Sequence, residues 1–208
     1  MRIESLKTTA DRAGCHWVTV SDGTKLALYR QTVEDFGLYT GMELTDEQWN
    51  RLQEAAGEMS AKMRAVRIVA ASAVSERDLQ QRLVQKGEDP RQAAQAVAWM
   101  TEMKLVDDRE TAFQIVSRCA ARGYGMQRAK QMLYEKKIPK QYWEEALQDF
   151  PNQTEHILTF LRGRITDETD RKQVQKAIDA LLRRGHSYSE IRGALRRLSL
   201  DADEFPED

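Results

Sequence analysis

Residues 83–97 read LVQKGEDPRQAAQAV, residues 133–147 read LYEKKIPKQYWEEAL, and residues 181–195 read LLRRGHSYSEIRGAL. The three leading leucines are spaced by 50 and 48 residues. Four places after each leucine stands a small or basic residue, and an alanine followed by an aliphatic residue begins thirteen places after it. Several coincident offsets at one period indicate a tandem repeat, because stacked units reuse one packing pattern.

Each repeat unit reads as three helices joined by short turns. Gly87 and Gly185 fit the left-handed residue that commonly follows a helix, since glycine adopts that conformation without steric cost. Pro90 fits the first turn of a new helix, and Ser75 and Ser187 fit N-caps. The predicted helices cover residues 62–74, 76–86 and 90–104, then 108–122, 126–136 and 140–148, then 154–164, 170–184 and 188–198.

The N-terminal 30 residues have the two-residue period of β-strands. Cys15–Val20 and Lys25–Tyr29 alternate, and the Asp22-Gly23 pair between them is a strong hairpin signal, because a type I′ turn needs positive φ at both central residues. With Arg2–Lys7 and a turn at Asp11–Gly14, they predict a three-stranded antiparallel meander. A capping box, Thr45 to Gln48, then predicts a helix that covers this sheet.

The sequence therefore predicts a mainly α protein. Units that touch only their neighbours predict an elongated, curved helical array, preceded by a small N-terminal antiparallel β-meander. The predicted modules are residues 1–60 for the meander and its helix, 61–107, 108–150 and 151–200 for the three-helix repeats, and 201–208 for an acidic tail.

Charge is distributed unevenly along the 208 residues, although the net charge is only −1. Residues 1–60 hold 6 basic and 10 acidic groups, whereas residues 61–147 hold 16 and 11 and residues 148–200 hold 10 and 7. The repeats are thus basic between an acidic N-terminal module and an acidic tail. A basic helical array suits an acidic protein surface or a phosphate backbone.

Signatures of catalysis do not appear in the sequence. The Gly-x-Gly of Gly123–Gly125 is followed by no Gly-Lys-Ser/Thr and is interpreted as a flexible inter-helix turn. His16, His156 and His186 lie in different elements, without partners at metal-ligand spacing. We therefore expect no catalytic residue, no metal, no cofactor and no enzyme activity.

The compartment is predicted from equally simple features. No apolar stretch approaches the roughly 20 residues that span a bilayer, and the first residues lack the apolar region of a secretory signal. Cys15 and Cys119 are far apart in apolar-patterned segments, which is typical of buried free thiols. We expect a cytoplasmic protein without a membrane partner.

Four motifs, in order, resemble the RecX-family regulatory proteins. They are a helix ending in Lys-Gly at Leu83–Gly87, an Asp-Asp turn within Lys104–Ala112, a Gly-x-Gly before an arginine within Arg122–Ala129, and a second helix end at Leu133–Ile138. Order and spacing agree with that family over about residues 62–200. The strand-rich N-terminus is similar to the extension of its longer members.

The chain departs from the family pattern at three positions. Lys104 stands where the family tends to have glycine, Ala129 where it favours isoleucine, and Lys137 where it favours glycine. A residue other than glycine in the left-handed conformation costs about 1 kcal/mol. We therefore expect the second helix of unit two to end differently from its counterparts.

The resemblance implies a modulator of the RecA recombinase. We expect the chain itself to be a monomer. Family members lie along the groove of the RecA filament on single-stranded DNA, and most restrain its recombinase, ATPase and co-protease activities. The alternative is a direct DNA-binding protein of helix-turn-helix type, which would place base-reading side chains on one helix. Contact between the basic helices and DNA is compatible with both hypotheses.

Basic side chains at equivalent repeat positions are the candidates for partner or DNA binding. Lysine and arginine in the last turn of a helix also complement the helix dipole, so the set counts for more than any single member. The candidates are Lys86, Arg109, Arg118, Arg122, Arg128, Lys130, Lys136, Lys137, Arg183 and Arg184, with a second stripe of Arg192, Arg196 and Arg197.

Overall fold

A computed structural model describes residues 1–9, 14–167 and 170–198 of the chain. The acidic tail 201–208 and most of the predicted Asp11–Gly14 turn lie outside the described residues. Among the described residues, the fold is mainly helical with a small N-terminal antiparallel sheet. The predicted fold class is confirmed in these features.

The N-terminal sheet is the predicted meander. Its strands are β1 (Ile3–Thr8), β2 (Cys15–Val20) and β3 (Lys25–Tyr29), paired antiparallel in the order β1-β2-β3. At the hairpin, Gly23 has φ +85° and the Thr24 amide donates to Asp22 Oδ1 at 2.8 Å. The predicted hairpin is confirmed. The type I′ turn is not, because Gly23 has positive φ and Asp22 does not.

A long helix covers the sheet and continues into the first repeat. After the short helix α1 (Arg30–Asp35), which the sequence did not predict, α2 spans Asp46–Ala71 and begins at the predicted capping box of Thr45. Trp49 and Leu52 of α2 are buried against the sheet. The expected module boundary at residue 60 falls inside this continuous helix.

The helices that follow agree closely with the predicted ranges. They are α3 (Glu76–Gln85), α4 (Pro90–Glu102), α5 (Asp108–Ala121), α6 (Met126–Glu135), α7 (Trp143–Gln148) after a 3₁₀ turn at Lys140–Tyr142, α8 (Thr154–Arg164), α9 (Arg171–Arg183) and α10 (Tyr188–Arg197). Both predicted serine caps are present: Ser75 accepts from the Asp78 amide, and Ser187 accepts from the Glu190 amide.

The repeat register corresponds to recurring core positions. Leu83, Leu133 and Leu181 are each at most 1% exposed, and the alanines thirteen places later, Ala96, Ala146 and Ala194, are buried as well. Burial of a leucine side chain contributes about 2 kcal/mol, and a buried alanine lets two helices approach closely. The same packing pattern therefore recurs in each three-helix unit.

Buried side chains form separate clusters rather than one core. One cluster joins the sheet to the first half of α2, and one further cluster belongs to each set of three repeat helices. On this ground we propose the module divisions at residues 60 and 150. By backbone contacts the chain divides into two compact units, Met1–Asp107 and Asp108–Asp208.

The helix end at Lys137 contradicts one sequence expectation. Gly87 and Gly185 have φ +90° and +84°, and Lys137 has φ +57°. In each repeat, the next residue donates its amide to the carbonyl of the core leucine, as Ile138 does to Leu133 at 3.0 Å. The prediction of a different end was wrong, because the hydrogen bonds and the burial of Ile138 outweigh the strain of a left-handed lysine.

Candidate partner-binding surface

The second helix of every repeat ends on a cation. Lys86, Lys136 and Arg184 are the C-terminal cap residues of α3, α6 and α9. Their positions follow from the repeat register, because each lies three residues after a buried core leucine. Positive charge at this end also complements the helix dipole.

In the first compact unit, a basic cleft of about 400 Å³ lies between the end of α2 and the end of α3. We call it the Arg64–Lys86 cleft. The Arg64 guanidinium donates to the Lys86 carbonyl at 3.2 Å, and it forms an ion pair of 2.6 Å with the buried Glu88 carboxylate. The residues that line the cleft are Arg64, Arg67, Ile68, Ala71, Ser72, Arg82 and Lys86.

Of the four cations that line the cleft, Arg64 and Arg82 are partly neutralised by carboxylates, and two are not. Arg82 pairs with Asp78 at 2.8 Å, whereas the exposed Lys86 forms no ion pair with the residues that the structure describes. Arg67 donates to the Tyr29 hydroxyl at 2.7 Å. Because the hydroxyl is neutral, this contact does not neutralise the positive charge of Arg67. The cleft therefore keeps an excess of positive charge.

In the second compact unit, a cavity of about 450 Å³ holds two more of the predicted cations. We call it the Arg122–Arg184 cleft. The half-buried Arg184 guanidinium lies over the Tyr124 and Phe160 rings, 5.1 and 5.2 Å from their centroids, and donates to the Arg122 carbonyl at 3.1 Å. The residues that line the cleft are Arg122, Gly123, Glu155, His156, Thr159, Phe160, Leu181 and Arg184.

The Gly123–Gly125 segment beside this cleft is a tightly packed turn, so its interpretation as a flexible one was wrong. The Gly125 amide donates to the Arg184 carbonyl at 3.0 Å, and the Gln127 amide donates to the Gly185 carbonyl at 3.1 Å. A Cβ atom on Gly125 would lie 2.0 Å from the Gly185 oxygen. The amides of Gly125 and Gln127 therefore donate to protein carbonyls and are not available to a phosphate.

A buried histidine completes this junction between the second and third repeats. His186 is 3% exposed, and its Nε2 lies 3.1 Å from the Gly123 carbonyl. Burial lowers the pKa of His186, and the hydrogen bond to Gly123 only partly opposes that effect. The neutral ring therefore donates from Nε2 to the carbonyl.

Other predicted cations are held by nearby carboxylates. Arg109 donates two hydrogen bonds to the Glu145 carboxylate and lies over the Phe113 ring. Hydrogen bonding from Arg109 is the main reason that the pKa of Glu145 is lowered. These exposed pairs contribute little to stability but reduce the charge available to a partner. Two further ion pairs have longer N–O distances: Arg128 with Glu135 at 3.5 Å, and Arg197 with Glu155 at 4.0 Å.

The remaining predicted cations divide into two groups. Within the part of the chain that the structure describes, Arg118, Arg122, Lys130 and Arg183, like Lys86, form no ion pair. By contrast, Lys136, Lys137, Arg192 and Arg196 each interact with another group of the protein. The first group retains the charge that is most accessible to a partner.

Sequence reasoning missed Arg64, Arg67 and Arg82 of the first cleft. A signal was present for two of them, because Arg64 and Arg67 are three residues apart on one helix and share a face. Nothing in their spacing showed that α3 turns back to place Arg82 and Lys86 beside them. That arrangement depends on packing within the unit.

Neither a metal-binding cluster nor a membrane-spanning helix is found among the described residues. Residues 1–9, 14–167 and 170–198 contain no group of three or more histidine, cysteine, aspartate or glutamate side chains placed to hold a metal ion. In those same ranges, no helix is both long enough and apolar enough to cross a membrane. Cys15 and Cys119 are free and buried, as predicted, and burial raises the pKa of the Cys119 thiol.

Comparison with known proteins was made on sequence and on structure. No family model matches the chain. Regulatory protein RecX of Clostridioides difficile is 26% identical over 98% of this chain and 97% of its own length. Regulatory protein RecX of Xanthomonas axonopodis pv. citri is 30% identical over 67% of this chain and 88% of its own length.

Solved structures share the fold. A crystal structure of regulatory protein RecX has a TM-score of 0.62 at 21% identity and covers 92% of this chain and 98% of its own. That of RecX from Lactobacillus salivarius has a TM-score of 0.60 at 19% identity, over 70% of this chain and 99% of its own.

Fold and surface together define a class of helical-repeat proteins with a small N-terminal sheet and cationic helix ends. Within that class, the sequence relationship is specific, because the 30% identical relative is covered over most of its length. The chain belongs to the RecX family of regulatory proteins.

Proposed function

We propose that this chain binds the RecA filament on single-stranded DNA and lowers its recombinase, ATPase and co-protease activities. Membership of the RecX family of regulatory proteins carries the proposal. A regulator of a DNA-bound recombinase acts in the cytoplasm, and we expect this chain to act there as a monomer without cofactor or catalytic residues.

The cationic clefts support this proposal. A cleft lined by one sign of charge attracts a partner of the opposite sign and raises the rate of encounter. RecA-bound DNA offers phosphates, and a protein filament offers acidic side chains, so both components suit the Arg64–Lys86 and Arg122–Arg184 clefts. Direct contact between the basic helices and the DNA within the filament is part of the proposal.

Helix α4 argues against the alternative of a helix-turn-helix reader. Its buried face consists of Ala93, Ala96, Val97 and Met100, which pack in the core of the first repeat. Two of its exposed positions are alanines, which offer no hydrogen-bonding group to a base edge. A helix of this composition serves packing better than base recognition.

The first test measures ATP hydrolysis by RecA on single-stranded DNA. We expect substoichiometric amounts of this chain to lower the rate, because one bound regulator affects neighbouring subunits of a filament. Binding to naked duplex should be weak at physiological salt. An unchanged ATPase rate with excess protein, together with no binding to the filament, would remove the assignment.

A charge-reversal variant tests the surface. Lys86, Arg118, Lys130 and Arg183 lack ion pairs with the described residues, so replacing all four by glutamate should weaken filament binding and inhibition with little effect on folding. Arg184 is left unchanged because it packs on two rings. A control reverses two exposed lysines of the sheet, Lys7 and Lys25, and should retain inhibition. Equal inhibition by both variants would place the interface elsewhere.

A further inference from the structure

Two lysines adopt a backbone conformation that the chain otherwise reserves for glycine. Among the described residues, Lys104 (φ +55°) and Lys137 (φ +57°) are the non-glycine residues with positive φ, and glycines occupy the other positions of this kind. A lysine Cβ is crowded by the backbone in this region. Such strain persists where surrounding contacts hold the backbone, and strained residues cluster at functional sites.

The Lys104 turn exposes two large apolar side chains. Met103 is 56% exposed and Leu105 is 52% exposed, on either side of the lysine. The turn is nevertheless firmly held: the Lys104 amide donates to the Thr101 carbonyl and the Leu105 amide to the Met100 carbonyl, both at 2.9 Å. The side chains of Met103, Lys104 and Leu105 therefore project from a backbone that hydrogen bonds hold in place.

The charge of Lys104 is available to a partner. Its ammonium group forms no ion pair with residues in the described ranges, and its side chain is exposed. A related combination recurs at the other left-handed lysine, because Tyr134, three residues before Lys137, is 73% exposed. The equivalent positions before Gly87 and Gly185 hold Val84 and Leu182, 39% and 42% exposed, so Tyr134 follows the repeat register. In the described part of the chain, only the Lys104 turn places exposed apolar side chains on both sides of a left-handed lysine.

We propose that the turn Met103–Leu105 is a docking point for a protein surface that sets an acidic side chain beside an apolar depression. This inference rests on the proposed function and names the occupant as a subunit of the RecA filament. Methionine and leucine bury apolar area against protein, whereas nucleic acid would favour aromatic side chains that stack on bases. The cation between them gives the contact its charge complementarity.

The decisive variant is Lys104→Gly, because it moves stability and binding in opposite directions. Removing the strained side chain should raise the melting temperature by about 2–4 °C, and loss of the ammonium should raise the Kd for the RecA filament about fivefold. If Lys104 had only a structural role, its replacement by glycine would raise the melting temperature without weakening binding to the filament. Lys104→Asn, which tolerates the left-handed conformation, should weaken binding similarly.

The apolar part is tested with Met103→Ser and Leu105→Ser together. Both side chains are more than half exposed, so the protein should stay folded while the Kd for the filament rises about tenfold. Tyr39→Ser is the matched control, because Tyr39 is 62% exposed in the same compact unit and should bind as the wild type does.

The outcomes separate this inference from the proposed function. If the wild type binds the filament and every variant at the turn binds equally well, the docking point is wrong and the proposed function stands. If the wild type does not bind the filament, both fail. Light scattering checks a second copy of this chain as occupant: self-association lost only in the turn variants would overturn the assignment to RecA.

Discussion

The second helices of the first and third repeats end in the same way but have different surroundings. Lys86-Gly87-Glu88 and Arg184-Gly185-His186 each place a cation at the cap, a left-handed glycine after it and a buried polar residue next. A Cβ on Gly87 would meet nothing within 4 Å. A Cβ on Gly185 would lie 2.2 Å from the Arg128 amide nitrogen.

The buried polar residue differs in its partner as well. Glu88 binds Arg64 and accepts from Ser60 at 3.0 Å, both from the long helix α2 of the same compact unit. His186 instead hydrogen-bonds Gly123 of the preceding repeat. One local turn therefore serves two purposes: it closes a helix in the first repeat, and it also joins two repeats in the third.

The core leucines should show no such difference. Leu83 and Leu181 are 0% and 1% exposed, so Leu83→Ala and Leu181→Ala should each lower the free energy of unfolding by about 2–5 kcal/mol. Urea denaturation of both variants measures this. A loss below about 1 kcal/mol in either variant would mean that the repeat register does not describe that core.

The two glycines should differ clearly. Gly87→Ala should cost about 1 kcal/mol, because only the left-handed backbone opposes it. Gly185→Ala should cost about 2–4 kcal/mol, because the same strain is joined by overlap with the Arg128 backbone. Thermal unfolding of the pair tests the comparison directly. Equal losses would show that the junction between the second and third repeats yields easily.

The smallest effect concerns pH at the third-repeat turn. Because burial lowers the pKa of His186 in the folded state, the unfolded chain takes up this proton first as pH falls. His186 contributes its full stability at pH values above the ordinary histidine pKa. As the pH falls from that value to the lower pKa of the folded state, this contribution is lost. Glu190 opposes the lowered pKa, while Arg184 and His156 add to it.

His186→Gln is the control for this titration, since glutamine can still donate to the Gly123 carbonyl and does not titrate. We expect the melting temperature of the wild type to fall more than that of the variant between about pH 7.5 and about pH 5.5. Parallel curves would show that His186 does not contribute to the pH dependence.

Sequence by itself determined the elements and their order. The serine caps and the Asp-Gly turn are local signals, in which residue type sets backbone geometry directly. The leucine spacing shows where one packing pattern recurs, and together these features located the helices to within a few residues. Short helix α1 lacked such signals and was not predicted. Lys137 was misjudged because strain is local, whereas the contacts that overcome it, such as the buried Ile138, are not.

Only the tertiary structure decided which cations lie together and which remain available. Arg109 and Glu145 are 36 positions apart in the chain, and Arg122 and Arg184 are 62 apart, so their encounters follow from the angles at which helices pack. Gly87 and Gly185 likewise stand in similar local sequences and adopt the same left-handed turn, but only Gly185 is closely packed against another helix. Backbone conformation is a property of a few adjacent residues, whereas charge pairing and close packing depend on chain segments that meet only after folding.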